Sequence, residues 1–207
     1  MLKVLGRSDS INVRKVLWLC DELNIEYDRE DWGRGFRSPK EAEFIKLNPN
    51  ATIPVIIDAD LVLWQSNSII RYLANQYQGQ ALYPETAKPR ALIDQWIDWQ
   101  ALELNNSWTY ALMNLFRKSP DHQDPILLKK SIDAWTENMR ILDEQLAKTG
   151  IYIIGDQFTL ADIPMGLSVQ RWYLTPFEKT EFQHVKKYYE LLSQRAAYMK
   201  WGNNGQN

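Results

Sequence analysis

Pro54 stands in the run 53–57, IPVII, which otherwise reads as the beginning of a buried strand. A proline cannot donate to a strand ladder, so it demands an edge, a bulge or a cis turn, and each leaves neighbouring backbone groups free for a ligand. Beyond it come a hairpin turn at Asp58-Ala59-Asp60 and a second strand over 61–64. The polar cluster Gln65-Ser66-Asn67 then opens a helix carrying Ile69, Ile70, Leu73 and Tyr77. A helix N-terminus is a ready anion site. A peptide bearing a carboxylate suits both features, which makes residues 48–72 the segment around which the chain is organised.

The rest of the first half fits a small mixed sheet. Residues 2–5 form an apolar strand closed by Gly6, and Val13, Val16, Leu17, Cys20 and Leu23 follow at helical spacing. A polar strand over 27–31 belongs near an edge. Ser38-Pro39-Lys40-Glu41 is a capping box with proline at the first helical position, predicting a short helix to about residue 47. The order is β-α-β-α-β-β-α within residues 1–78. Residues 79–89, with two prolines and a glycine, read as a linker. From 90 to 207 the strand signals stop. Helices are predicted over 90–117, long enough to allow a bend near 105–107, and over 126–149. Another opens on Thr159-Leu160-Ala161-Asp162, with Asp162 at the capping-box position and Phe158 as a staple. A last helix covers 188–195, and the tail GNNGQN is expected to be disordered. The fold class is therefore α+β, a small sheet domain followed by an all-α bundle.

Charge and composition narrow the function. With 24 basic and 26 acidic residues among 207 and no run of five like charges, neither nucleic acid nor an anionic membrane is the expected partner. One cysteine and two separated histidines make no standard zinc site, so no metal is expected. Cys20 lies on an apolar helix face and reads as a core thiol; His122 and His184 read as solvent-facing. No segment has 18 apolar residues in succession, and the start runs straight into a strand, so a cytoplasmic location is expected. Ser10 and Asn12 stand where a strand gives way to a helix. Either one of them merely caps that helix, or one caps it and the other points its hydroxyl or amide at a bound anion.

Three segments carry a resemblance. Residues 48–55, NPNATIPV, look like the NPxGxVP segment of the cytosolic glutathione transferases. Residues 65–73, QSNSIIRYL, look like their E/Q-S-x-A-I-x-x-Y-L segment, and 158–162, FTLAD, match the FTxAD start of the buried helix in their all-α domain. The resemblance covers nearly the whole chain, in the family's order, and points to bacterial serine/asparagine-type, theta- or nu-like members. It implies a thioredoxin-like N-terminal domain that binds glutathione as co-substrate, and a helical domain that shapes a hydrophobic pocket.

Carried over by position, Thr52, Ile53 and Pro54 would hold the middle of glutathione, the Ile53 backbone pairing with its cysteinyl part. Gln65, Ser66 and Asn67 would hold the γ-glutamyl end. Ser10 is the first choice for activating the thiol and Asn12 the second. Trp32, Trp108, Phe116 and Trp172 are candidates for the second-substrate pocket, although aromatics at helical spacing are usually core. Ala51 and Thr52 depart from the family pattern, so Arg34, Arg37 or Lys40 is expected to contact the glycyl end. The implied activity is attack of a glutathione thiolate on a small hydrophobic electrophile by a homodimer. The alternatives are a non-catalytic binding or regulatory module, and a glutathione-dependent peroxidase or disulfide reductase.

Overall fold

In the computed structural model, which describes residues 1–202, contacts divide the chain into two units. One comprises Met1–Glu85 with Ala196–Asn207, the other Thr86–Arg195. The sequence reads as a first domain over 1–78, a linker over 79–89 and a helical domain over 90–207, whereas here 79–85 and the residues after Arg195 belong to the first unit. All of the tail GNNGQN except Gly202 lies outside the described residues.

The first unit is built on four strands, β1 (Leu2–Leu5), β2 (Tyr27–Glu30), β3 (Val55–Asp58) and β4 (Leu61–Trp64), in the order β2-β1-β3-β4. β1 and β2 run parallel, because α1 (Ile11–Glu22) carries the chain back between them. β3 pairs antiparallel with β1, placing Val55 opposite Leu5, and antiparallel with β4, placing Val55 opposite Trp64. The polar β2 is an edge strand, as its composition predicts. Central β3 is reached through a cis peptide bond between Ile53 and Pro54, so the proline sits just before the ladder and takes no donor from it.

Leu5, Trp32, Phe44 and Val55 make one buried cluster, against which Leu47, Ile53, Ile57 and Trp64 pack. Phe44 comes from α2 (Ala42–Leu47). That helix begins three residues later than the capping-box pattern predicts. The Ser38 amide donates to Glu41 Oε1 (3.0 Å) and the Lys40 amide to Ser38 Oγ (3.2 Å), so the box is spent on a turn before the helix. α1 packs against α3 (Ser66–Gln76), with Val13, Val16, Leu17, Ile69, Ile70 and Leu73 all buried.

α9 (Ala196–Trp201) also packs on α1. Tyr198 stacks near Trp18 with ring centroids 4.9 Å apart, and Trp201 Nε1 donates to Asp21 at 2.8 Å. Nothing local in the sequence 196–201 predicts this. Its partners lie about 180 residues away.

The second unit is helical: α4 (Ala87–Trp99), α5 (Asn105–Ala111), α6 (Pro125–Thr149), α7 (Asp162–Leu174) and α8 (Gln183–Leu192). Wider, π-helical turns at Gln100–Leu104 and Leu112–Phe116 lie on either side of α5, whose first residues are where the sequence allows a bend. Buried Gln100 donates to Asn105 Oδ1 (2.9 Å) and Ser168 Oγ (2.8 Å), a polar pin where the winding changes. His184, read as solvent-facing, has its Nδ1 3.1 Å from Asp143 Oδ2. Asp143 also accepts from the His184 and Val185 amides, capping the start of α8.

Candidate functional site

Asn12, Thr52, Ile53, Pro54, Gln65 and Ser66 line one cavity of about 240 Å³ in the first unit. They arrive from three places: the first turn of α1, the loop before β3, and the start of α3. A larger hollow of about 710 Å³ is lined by residues from the far ends of α1 and α3, such as Glu22 and Gln76. It gathers none of the groups that the sequence singles out for chemistry. A helix rises ~1.5 Å per residue, so Glu22 is roughly 15 Å along α1 from Asn12. The smaller cavity is the candidate site because of its chemistry.

The loop before β3 owes its shape to Asn48. Its buried side chain donates to the Thr52 carbonyl (2.8 Å) and to Thr52 Oγ1 (3.2 Å), while its Oδ1 accepts from the Asn50 amide at 3.0 Å. The loop also contains Ala51 at φ 53, a left-handed conformation that disfavours a residue with a Cβ. Ile53 is pressed from below by Gly6, where an added Cβ would come within 2.5 Å of Val13 Cγ2 and 3.2 Å of Ile53 Cβ. Only glycine lets β1 end this close to the site.

The other wall is the start of α3. Gln65 precedes the helix at φ 72, ψ 107, strained for a non-glycine residue and located where strain is commonly functional. Its carbonyl accepts the Ile69 amide at 2.9 Å, closing the first turn. Ser66 Oγ donates to Asn12 Oδ1 at 3.3 Å, tying α3 to α1 across the cavity. With its oxygen so engaged, the Asn12 amide presents its N–H groups to other partners.

Of the sequence-predicted residues, Ser10 and Asn67 are not part of the cavity lining. Ser10 occupies the N-cap of α1, with its side chain making no capping bond. Asn67 Oδ1 accepts from Lys15 Nζ at 3.0 Å. Trp32 is core: it packs on Phe44 at 4.9 Å and donates from Nε1 to Glu30 Oε1 at 3.0 Å. Trp172 is buried against Trp135 and Phe177, and Trp108 lies under the Arg171 guanidinium at 4.5 Å. Phe116 is 38% exposed. Among the basic candidates, Arg37 is engaged by Glu30, Glu41 and Glu43, and Arg34 by Asp9. Lys40 is exposed.

Two residues were passed over in the sequence. Asn48 shapes the Thr52–Ile53 backbone, and its signal was an asparagine followed by Pro-Asn, a side chain suited to bonding the loop after it. Lys15 is 2% exposed on α1, where all of Val13–Cys20 is buried. No local pattern signals this, because α1 is covered by both α3 and α9. Cys20 is a core thiol as expected, its pKa pushed up to about 12 by burial. Among the described residues no group of three His, Cys, Asp or Glu could hold a metal ion, and no helix is long and apolar enough to cross a membrane.

Comparison with known proteins finds relatives along nearly the whole chain. A family model described as the glutathione S-transferase N-terminal domain matches residues 1–75. Glutathione S-transferase GstB of Escherichia coli K12 is 33% identical over 202 residues, covering 97% of both chains. A theta class glutathione S-transferase from Xanthomonas axonopodis pv. citri, solved with glutathione bound, superposes with a TM-score of 0.90 at 33% identity. It matches across 97% of this chain and 96% of its own. Glutathione transferase F7 from Populus trichocarpa, at 23% identity and a TM-score of 0.86 over 100% of both chains, shares the fold.

Proposed function

Because this chain belongs to the glutathione S-transferase family, we propose that it is a glutathione transferase whose cavity beside Pro54 holds the tripeptide and whose Asn12 turns its thiol into a thiolate. The observation that carries this reading is the convergence of Asn12, Thr52, Ile53, Pro54, Gln65 and Ser66 on a single cavity. The Ile53 backbone supplies strand-like pairing to the cysteinyl part. Gln65, Ser66 and the N-terminus of α3 take the γ-glutamyl end, where a carboxylate is favoured.

Asn12 is preferred over Ser10 as the thiol's hydrogen-bond donor because it lines the cavity and has its oxygen already engaged by Ser66. A charge-assisted hydrogen bond is worth roughly 1.5–3 kcal/mol, which corresponds to about one to two pKa units. One such bond therefore raises the thiolate fraction near neutral pH, and the thiolate is the nucleophile. The electrophile is small and hydrophobic, and the assembly a homodimer; a monomer mass in sedimentation at micromolar concentration would remove the latter.

The peroxidase or disulfide-reductase reading has one constraint from the chain itself. The only cysteine, Cys20, is buried with a raised pKa, so any sulfur chemistry uses the thiol of glutathione. Activity tests separate the readings. Wild type should be retained on immobilised glutathione and turn over a halogenated nitrobenzene, and Asn12→Ala should lower kcat by roughly ten- to a hundredfold. Flow-through of wild type would leave only a module that has lost the site. Turnover of hydroperoxide or disulfide without turnover of the halide would favour the third reading. Loss in Ser10→Ala with none in Asn12→Ala would reverse the assignment.

A further inference from the structure

Lys15 has no part in the reading above, yet it is joined to the site. It lies three residues after Asn12, on the same face of α1. The two side chains meet two successive residues of α3: Asn12 accepts from Ser66, and Lys15 donates to Asn67 at 3.0 Å. The two bonds form consecutive rungs between the helix starts. A lysine this deeply buried is costly unless its ammonium is bonded, and its Nζ is bonded to the start of α3. Its Nζ sits beside the second residue of α3, at the end of the helix where an anion is already favoured.

We propose that Lys15 is a positioning residue for the α-carboxylate of the γ-glutamyl group, holding the Asn67 amide and placing a buried positive charge behind the N-terminus of α3. This rests on the glutathione reading of the cavity. Engaging Asn67 Oδ1 fixes which way that amide faces, so its N–H groups turn away from the ammonium. The charge, shielded from solvent by burial, is screened less than a surface lysine would be. Lys15 thereby selects for peptides that carry a free carboxylate at the γ-glutamyl end, while leaving the thiol to Asn12.

The test compares glutathione with its analogue lacking that carboxylate, 4-aminobutyryl-cysteinylglycine, in wild type, Lys15→Met, Lys15→Gln and Lys15→Arg. Wild type should prefer glutathione strongly. In Lys15→Met, KM for glutathione should rise on the order of tenfold. Its kcat at saturation should stay within about twofold, since a shift confined to KM marks lost binding common to ground and transition states. The preference over the analogue should shrink by the same factor as KM rises. Lys15→Arg should recover much of it, and a merely structural lysine would not move this ratio. An unchanged preference in Lys15→Met, with wild type binding glutathione normally, overturns the proposal and leaves the proposed function standing. Failure of wild type to bind glutathione overturns both. Should Lys15→Met not fold, Lys15→Gln carries the same comparison; failure of both to fold marks the lysine as structural and overturns the proposal.

Discussion

Ala51 and Asn48 show how single residues hold the loop before β3. Ala51 has φ 53, where a Cβ costs about 1–2 kcal/mol, and glycine gives back roughly 0.5–1 kcal/mol of that in unfolded-state entropy. Ala51→Gly is therefore expected to raise stability by up to about 1 kcal/mol with glutathione affinity unchanged, read from urea midpoints; a loss of stability would show that the Cβ makes a contact worth more than the strain. Asn48→Ala should do the opposite. It removes the donors to Thr52 and the acceptor for Asn50, at about 1–3 kcal/mol for buried groups left unpaired. Because Thr52 leads directly into Ile53, its KM for glutathione should rise too. An Asn48→Ala protein that loses stability but binds glutathione normally would disconnect the loop from the site. The legibility of this region follows from range. Pro54, Gln65 and Ser66 announced themselves through local rules about proline and helix starts. Gln65's positive φ and Lys15's burial depend on how α1 meets α3, which no window of sequence contains.

At the scale of elements, the turn leading into α7 contains the Thr159–Asp162 bond that the sequence pattern calls for, although the helix itself begins only at Asp162. Asp162 accepts from the Thr159 amide (2.7 Å), Thr159 Oγ1 (3.0 Å), the Ile153 amide (3.1 Å) and Tyr188 Oη (2.9 Å). The capping-box half of this was legible from Thr159-Leu160-Ala161-Asp162, but the bonds to Ile153 and Tyr188 come from distant packing. Burial lifts its pKa to about 6, against the four hydrogen bonds that lower it. The sign follows from proton binding. Between the ordinary aspartate value of about 4 and the folded value the native state binds more protons than the unfolded chain, so this group adds stability as pH falls through that window. Asp162→Asn should be less stable than wild type at pH 7 through loss of its acceptor, and the gap should widen toward pH 5. A gap that narrows on acidification would mean that the folded carboxyl titrates below the unfolded one. The stretch 90–117, which reads as one helical pattern, lies in a continuous helical run from Ala87 to Phe116, and its π-helical turns have no local sequence signal.

For the chain as a whole, the two units are intelligible separately, and the C-terminal helix shows the limit of reading in order. Its residues read as an appendix to the bundle, yet α9 covers α1 with Tyr198, and the Trp201 carbonyl accepts from Arg14 Nη1 at 3.1 Å. Deleting residues 196–207 should uncover Trp18 and destabilise the first unit by several kcal/mol on the scale of a lost buried aromatic. Faster proteolysis within 1–85 checks this, and cleavage no faster than in the full chain would make α9 a bystander. Above all of these stands the claim that the cavity beside Pro54 binds glutathione and that Asn12 ionises it. Titrating the ultraviolet absorbance of the bound thiolate against pH measures that directly. The bound thiol of the wild type should titrate about one to two units below the free thiol's ~8.5, and in Asn12→Ala it should return toward that value. A bound thiol that titrates like free glutathione in the wild type, or identically in both proteins, would contradict it.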